Sequence, residues 1–166
     1  TFKPLQKVTR AEFFAMMLNT GLFEEVREGV RLEDGLSKFQ SDVMNKAYKV
    51  GLLSGSGYDS EGNLKVNAGG IITREEMASV LVRASKYSFT YSALNDVSFY
   101  DLKDYYDISD WAYKAVNEAY HIGLMSGNTQ GEILPQGQGN RTEAAILVHR
   151  FENMMNNINW NVTYKE

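Results

Sequence analysis

Three arginines carry the first hint of chemistry. Arg10, Arg74 and Arg141 each stand second in a short element that occurs three times: Thr9-Arg10-Ala11-Glu12, Thr73-Arg74-Glu75-Glu76 and Asn140-Arg141-Thr142-Glu143. Thr or Asn followed three residues later by Glu is a capping box. The first side chain accepts from the N3 amide, and the Glu reaches back to the N-cap amide. The box leaves the arginine unexplained, because a cation at N1 sits beside the positive end of a helix dipole and is mildly unfavourable there. A surface arginine bridging to a neighbouring carboxylate is the plainer account of any one copy. Three equivalent copies point instead to a repeated binding role.

Each box opens an apolar run with helical spacing. Phe13, Met16, Met17 and Thr20 align without gaps with Met77, Val80, Leu81 and Ala84, and with Ala144, Leu147, Val148 and Phe151. Residues at i, i+3, i+4 and i+7 share one face of a helix, so each run carries one apolar stripe. Inner helices are predicted over about 10–19, 74–86 and from Arg141 onward. Two further helices should precede the second and third boxes. One runs from about 36 or 37 to 50, with Phe39, Val43, Met44, Ala47 and Tyr48 inward. The other runs over about 110–122, with Trp111, Ala115, Val116 and Ala119 inward. Gly51 and Gly55 close the first of these, and Gly123 and Gly127 the second. Connections are expected over 22–35 and 96–107. Short extended pieces at Gly62-Asn63-Leu64-Lys65-Val66 and Gly131-Glu132-Ile133-Leu134-Pro135 mirror each other, and Thr1-Phe2-Lys3-Pro4 fits the same frame.

Arg10 to Arg74 spans 64 residues and Arg74 to Arg141 spans 67, so the chain is a repeat. One unit is a connection, an outer helix, a Gly-rich turn, a short extended piece and a capped inner helix. Such a unit cannot bury its inner helix alone and must share a core with its siblings. The predicted fold is mainly α: a pseudo-threefold helical array around a central three-helix bundle, with short extended segments in Gly-rich turns. Met17, Leu81 and Val148 should lie at that centre. The first unit starts inside its own pattern, so its outer helix would precede Thr1. Phe13 and Phe14 are therefore expected to be partly exposed unless something covers them. The tail, in which Ile158, Trp160, Val162 and Tyr164 alternate, or a neighbouring molecule is expected to do so.

Composition removes several function classes. A net charge of −4 gives no electrostatic reason to expect nucleic-acid binding. No apolar run approaches the roughly 20 residues of a membrane span, so no membrane insertion is expected. Without cysteine there are neither disulfides nor thiolate metal sites. The chain starts at Thr1 and shows no signal peptide, which reads as a piece of a longer protein. His121 and His149 lack a second His or Cys at ligand spacing and read as surface or packing residues. Asp96, Asp101, Asp104, Asp107 and Asp110 offer oxygens suited to calcium, but no EF-hand spacing occurs, and a solvated loop with a helix N-cap is simpler. Asp59-Ser60-Glu61-Gly62 reads as a turn, and Asn161-Val162-Thr163 as a chance glycosylation triplet. No group of catalytic residues suggests an enzyme or a cofactor.

The ordered set resembles the S-layer homology (SLH) domain, a bacterial surface module normally present as three motifs. Its pattern runs Phe-x-Asp-Val, Trp-Ala, Gly-x-x-x-Gly, Asp-Gly-x-Phe-x-Pro and Ile-Thr-Arg-Ala-Glu. The third unit matches with Leu94, Asp96, Val97, Trp111, Ala112, Gly123, Gly127, Gly131, Ile133, Pro135 and the last box. The second unit offers Phe23, Glu25, Val26, Gly51, Gly55, Gly62 and its box, with Phe39 and Gln40 in place of Trp-Ala. The first unit supplies only Phe2-Lys3-Pro4 and its box. The resemblance divides the chain into the second half of motif one at 1–22, motif two at 23–91, motif three at 92–156 and a tail at 157–166.

This resemblance implies a non-catalytic, extracellular anchor at the bacterial cell surface. Such triplets bind secondary cell-wall polysaccharide, often carrying pyruvate ketals on N-acetylmannosamine, in grooves between motifs. The implied glycan-binding residues are Arg10, Arg74, Arg141, Asp96, Trp111, Gly55 and Gly127, with Arg74 and Arg141 ahead of Arg10 because their motifs are more complete. A pyruvyl carboxylate suits a guanidinium fork. Close approach of backbone to sugar would account for the glycines. Since an N1 arginine makes no cap contact, the fold is expected to survive its loss. No metal is implied, and self-association through the incomplete first motif is a further expectation. The rival reading is an SLH-like structural or protein-interaction domain that has lost glycan binding, and Phe39, Gln40, Glu25 and the missing half of the first unit favour it.

Overall fold

The computed structural model describes residues 3–86 and 99–157. Leu94, Asp96 and Val97, the tail from Ile158 onward, and Thr1 and Phe2 lie outside the described residues. Among the described residues five helices form: α1 (Arg10–Leu18), α2 (Lys38–Lys49), α3 (Arg74–Lys86), α4 (Tyr113–His121) and α5 (Arg141–Asn156), with two single 3₁₀ turns at Phe99–Asp101 and Tyr105–Asp107. Extended pairing among the described residues is limited to isolated bridges. The architecture is the mainly α repeat array that the periodicity predicts.

The three inner helices α1, α3 and α5 start in the same way. Thr9 with Glu12, Thr73 with Glu76, and Asn140 with Glu143 each form a reciprocal capping box. A box satisfies the N-cap and N3 amides and leaves those of N1 and N2 without a partner inside the helix. The neighbouring unit supplies it. The Arg10 amide donates to the Gly70 carbonyl, that of Arg74 to Gly137, and that of Arg141 to Gln6. One residue on, Ala11 donates to Ala68, Glu75 to Pro135 and Thr142 to Pro4. Just before the boxes, Ile72 donates to Val8, Val8 to Gly139, and Gly139 back to Ile72, which closes a ring of three backbone bonds. The pseudo-threefold axis passes through this ring. Each helix start is thus completed by another unit, so an isolated unit would leave polar groups unpaired as well as an apolar face exposed.

These contacts also correct the frame between units. The sequence sets Val66 opposite Pro135, whereas the structure sets Ala68 there, because Ala68 and Pro135 accept equivalent amides. The two extra residues of the second unit enter just after Asn63. Glu33 accepts from the amides of Val66 and Asn67, as Asp104 does from those of Ile133 and Leu134. Asn67 and Leu134 both take left-handed backbone angles there, with φ of 47° and 52°. Asn tolerates that region, while other non-glycine residues lose about 1–2 kcal/mol in it. Leu134→Asn is therefore expected to stabilise the fold by up to about 1 kcal/mol, read as a higher melting temperature. A lower one would mean that packing by the half-exposed Leu134 side chain outweighs the strain.

The core is continuous across the units. Met17, Leu81 and Val148 are buried as predicted, α5 packs against α1 and α3, and Phe23 stacks on Phe151 with ring centroids 5.9 Å apart. Each outer helix covers the inner helix of the preceding unit: α2 lies on α1 and α4 on α3. Phe13 and Phe14 are consequently buried, at 0% and 1% exposure, contrary to the expectation that they border a gap. An uncovered face lies on α5, where Ala145 and His149 are exposed although Ala78 and Val82, their counterparts on α3, are buried, and Ile146 is exposed beside them.

Two inward assignments fail as well. Phe39 is 51% exposed and Trp111 61% exposed. Helix α4 begins at Tyr113 rather than near Asp110, and Ala112 at its N-cap makes no side-chain cap bond. Trp111 therefore sits in the turn ahead of the helix, clear of its apolar stripe. In α2, Ser37 and Gln40 form a capping box of their own, which accounts for the glutamine where the family pattern has alanine.

Candidate functional site

The guanidinium groups lie at the junctions between units. Arg10 Nε donates to the Val66 carbonyl at 3.1 Å, and its Nη1 pairs with Glu76 Oε1 at 2.6 Å. Arg74 repeats this one unit further on, with Nε to the Ile133 carbonyl at 2.7 Å and Nη1 to Glu143 Oε1 at 3.3 Å. Each carboxylate is also the return arm of a capping box, through its other oxygen. One Glu thus caps its own helix and holds the arginine of the neighbouring unit. Both arginines are largely buried, at 16% and 14% side-chain exposure. The plainer account of the arginines is therefore part of the answer. They bridge to neighbouring carboxylates and to backbone carbonyls of the next unit, so they join units in addition to any contact with a ligand.

At Arg10 the junction opens into a cleft of about 280 Å³. That is close to the lower end of the ~300–1,000 Å³ typical of small-ligand sites. Arg10 and Phe14 from the first unit line it, with Leu53, Ser54, Gly55 and Ser56 from the turn after α2. Glu76, Ser79, Val80 and Arg83 come from α3, and Trp111 from the third unit. Three residues singled out in the sequence, Arg10, Gly55 and Trp111, meet in this one place although they lie in three different repeats. A larger hollow of about 390 Å³ beneath residues 30–36 gathers none of them.

Trp111 owes its position to Glu75. This carboxylate is buried and accepts from the Ser109 amide at 3.1 Å, the Ser109 hydroxyl at 2.9 Å and Gln136 Nε2 at 3.0 Å. Ser109 in turn accepts the Ala112 and Tyr113 amides, so the turn that carries Trp111 is pinned to the start of α3. Gly55 has two constraints. Its φ is +76°, and a Cβ there would lie 2.5 Å from Leu64 Cδ1. The glycine is required by packing within the fold, independently of any sugar. Gly127 is less constrained, with Leu102 Cδ2 at 3.0 Å from an added Cβ and no left-handed backbone angle.

The other expected site residues lie elsewhere. Arg74 and Gly127 share the second junction, where Arg74 Nη2 donates to the Ser126 carbonyl at 3.3 Å. Arg141 occupies the start of α5, its amide bonded to Gln6. Asp96 lies outside the described residues. Near the connection before Trp111, Tyr100 and Tyr106 are exposed and pack with Tyr105. The hydrogen bond with Tyr106, and then desolvation, push the Tyr105 phenol up to about 12.

Sequence reading missed Arg83, whose Nη1 donates to the Leu52 carbonyl. Its counterpart Arg150 donates to the Leu124 carbonyl and the Ser126 hydroxyl. The signal was present, since Arg83 and Arg150 fall at the same place in the aligned inner helices, one turn beyond Val80 and Leu147.

Comparison with known proteins gives a consistent picture. A family model described as the S-layer homology domain matches residues 101–145. The chain is 33% identical over 160 residues to the exoglucanase XynX of Acetivibrio thermocellus, covering 95% of this chain and 14% of that protein. It is 30% identical over 157 residues to an amylopullulanase of Thermoanaerobacterium thermosulfurigenes, covering 89% of this chain and 8% of the relative. An endoglucanase of Bacillus sp. (strain KSM-635) is 32% identical over 152 residues, with 89% and 15% covered. The chain therefore spans only a small part of each of these relatives.

Proposed function

We propose that this chain, which carries an S-layer homology domain, is a non-catalytic module that anchors a longer protein to the bacterial cell surface by binding cell-wall polysaccharide. The relatives are named as polysaccharide-degrading enzymes, and the chain matches at most 15% of any of them. An accessory role beside a catalytic region fits that share. The units divide at 22 and 91, and the polymer lodges where they meet.

The observation that carries this reading is the cleft at Arg10. It combines an arginine, a second arginine at Arg83, an exposed indole, a close-packed glycine turn and serine hydroxyls at Ser54, Ser56 and Ser79. A carboxylate-bearing sugar such as a pyruvylated unit matches that set. The guanidinium groups supply charge-assisted donors, the indole supplies a flat apolar face for the ring, and the hydroxyls bond its substituents. In this reading Arg10 joins Arg74 and Arg141 as a leading candidate, because it lines the cleft.

A second reading has an observation of its own. Arg10 and Arg74 are paired with Glu76 and Glu143, so a purely structural role accounts for both side chains. Sedimentation with purified bacterial cell-wall sacculi, before and after chemical removal of the secondary polymer, separates the two. Anchoring predicts that the chain pellets with intact sacculi and stays in solution with stripped ones. Equal behaviour with both preparations would leave the structural reading standing.

A further inference from the structure

We infer that the two fully described junctions are not equivalent: the one at Arg10 is open to a ligand, whereas the one at Arg74 is clasped shut by its own side chains. This rests on the anchoring reading and adds which junction binds and how many ligand units one chain holds. The two arginines use Nε and Nη1 identically, and they differ at Nη2. In Arg74 that nitrogen donates to the Ser126 carbonyl. In Arg10 it has no hydrogen-bond partner among the described residues, and Ser54, the counterpart of Ser126, lines the cleft instead. A guanidinium carries five N–H donors in a fixed fork. At Arg74 each of the three nitrogens already gives one N–H to the fold, so an incoming carboxylate finds no nitrogen with both of its donors open. At Arg10 the Nη2 pair of donors remains for it.

The Ser126 hydroxyl adds to the clasp at the second junction. It accepts from Arg150 at 3.3 Å, so one serine lies between two guanidinium groups and takes a bond from each. Ser126 stands where a ligand's oxygens would have to sit. At the first junction Arg83, which also donates to the Leu52 carbonyl, lines the cleft together with Trp111. The open junction therefore draws on all three units, with its cations from the first and second and its stacking face from the third. It binds one anionic sugar unit per chain.

Titration calorimetry with single-repeat oligosaccharides released from the same sacculi tests this. One site per chain is expected. Trp111→Ala and Arg83→Gln should each weaken binding by at least about tenfold, the scale of one lost charge-assisted contact. Arg150→Gln, the same change at the same repeat position in the clasped junction, should stay within about twofold. Trp111 is exposed, so its removal leaves the core untouched and separates binding from folding. Two sites per chain, or equal losses for Arg83→Gln and Arg150→Gln, would overturn the inequality while leaving wall binding in place. Failure of the oligosaccharide to bind a chain that does pellet with sacculi would also overturn it. A chain that binds neither sacculi nor oligosaccharide removes this inference and the anchoring reading together.

Discussion

Leu81→Ala should lower the stability of the fold by about 2–5 kcal/mol, a large share of the roughly 5–15 kcal/mol that holds a domain together. Leu81 is fully buried on α3, which packs against both α4 and α5. Truncation removes apolar area from a site bounded on several sides by helices that are themselves fixed at their starts. The ring of Val8, Ile72 and Gly139 and the paired amides at each box set the separation of the inner helices. They cannot move inward freely to fill the space, so the cost should fall in the upper part of that range. Urea denaturation of both proteins measures it. A difference below half a kcal/mol would place Leu81 outside the packed centre and undo the three-helix description.

Arg74→Ala is expected to cost about 2–4 kcal/mol, even though an arginine at N1 contributes nothing to its own capping box. Its three nitrogens join α3 to three points in the third unit: the Ile133 carbonyl, Glu143 and the Ser126 carbonyl. The ion pair accounts for the smaller part, because Glu143 is one-third exposed and water screens it. Most of the loss comes from the two carbonyls, which no alanine can reach. Arg74→Lys should recover little, since an ammonium on a flexible stem cannot span the fork's three acceptors. Thermal unfolding of both variants checks this. An unchanged midpoint for Arg74→Ala would show that the junction is held by backbone contacts alone, and the clasp would lose its physical basis.

What the sequence by itself determined was most of what depends on near neighbours in the chain. Thr9 and Glu12, or Asn140 and Glu143, lie one helical turn apart, so their reciprocal capping follows from spacing alone. The apolar stripes of α1, α3 and α5 follow for the same reason, as do the left-handed glycines Gly51 and Gly123 that end α2 and α4. The recurrence of these local patterns was enough to predict a threefold array.

Only the tertiary structure decided which unit completes which. Arg10 finds Glu76 across 66 positions and Arg74 finds Glu143 across 69, and no local period encodes either pairing. Whether an apolar residue is buried likewise depends on what lies across from it. Phe14 is covered because α2 comes from the following unit, while Ile146 stays exposed on α5. Trp111 reads as an inward residue from its place in the pattern. It stands outward because α4 starts two residues later, and Glu75 of another unit fixes the turn that carries it. The cleft at Arg10 is made wholly of such relations. Its residues come from three repeats and face one another only after the ring has closed, because each helix start draws its last hydrogen bonds from a neighbour.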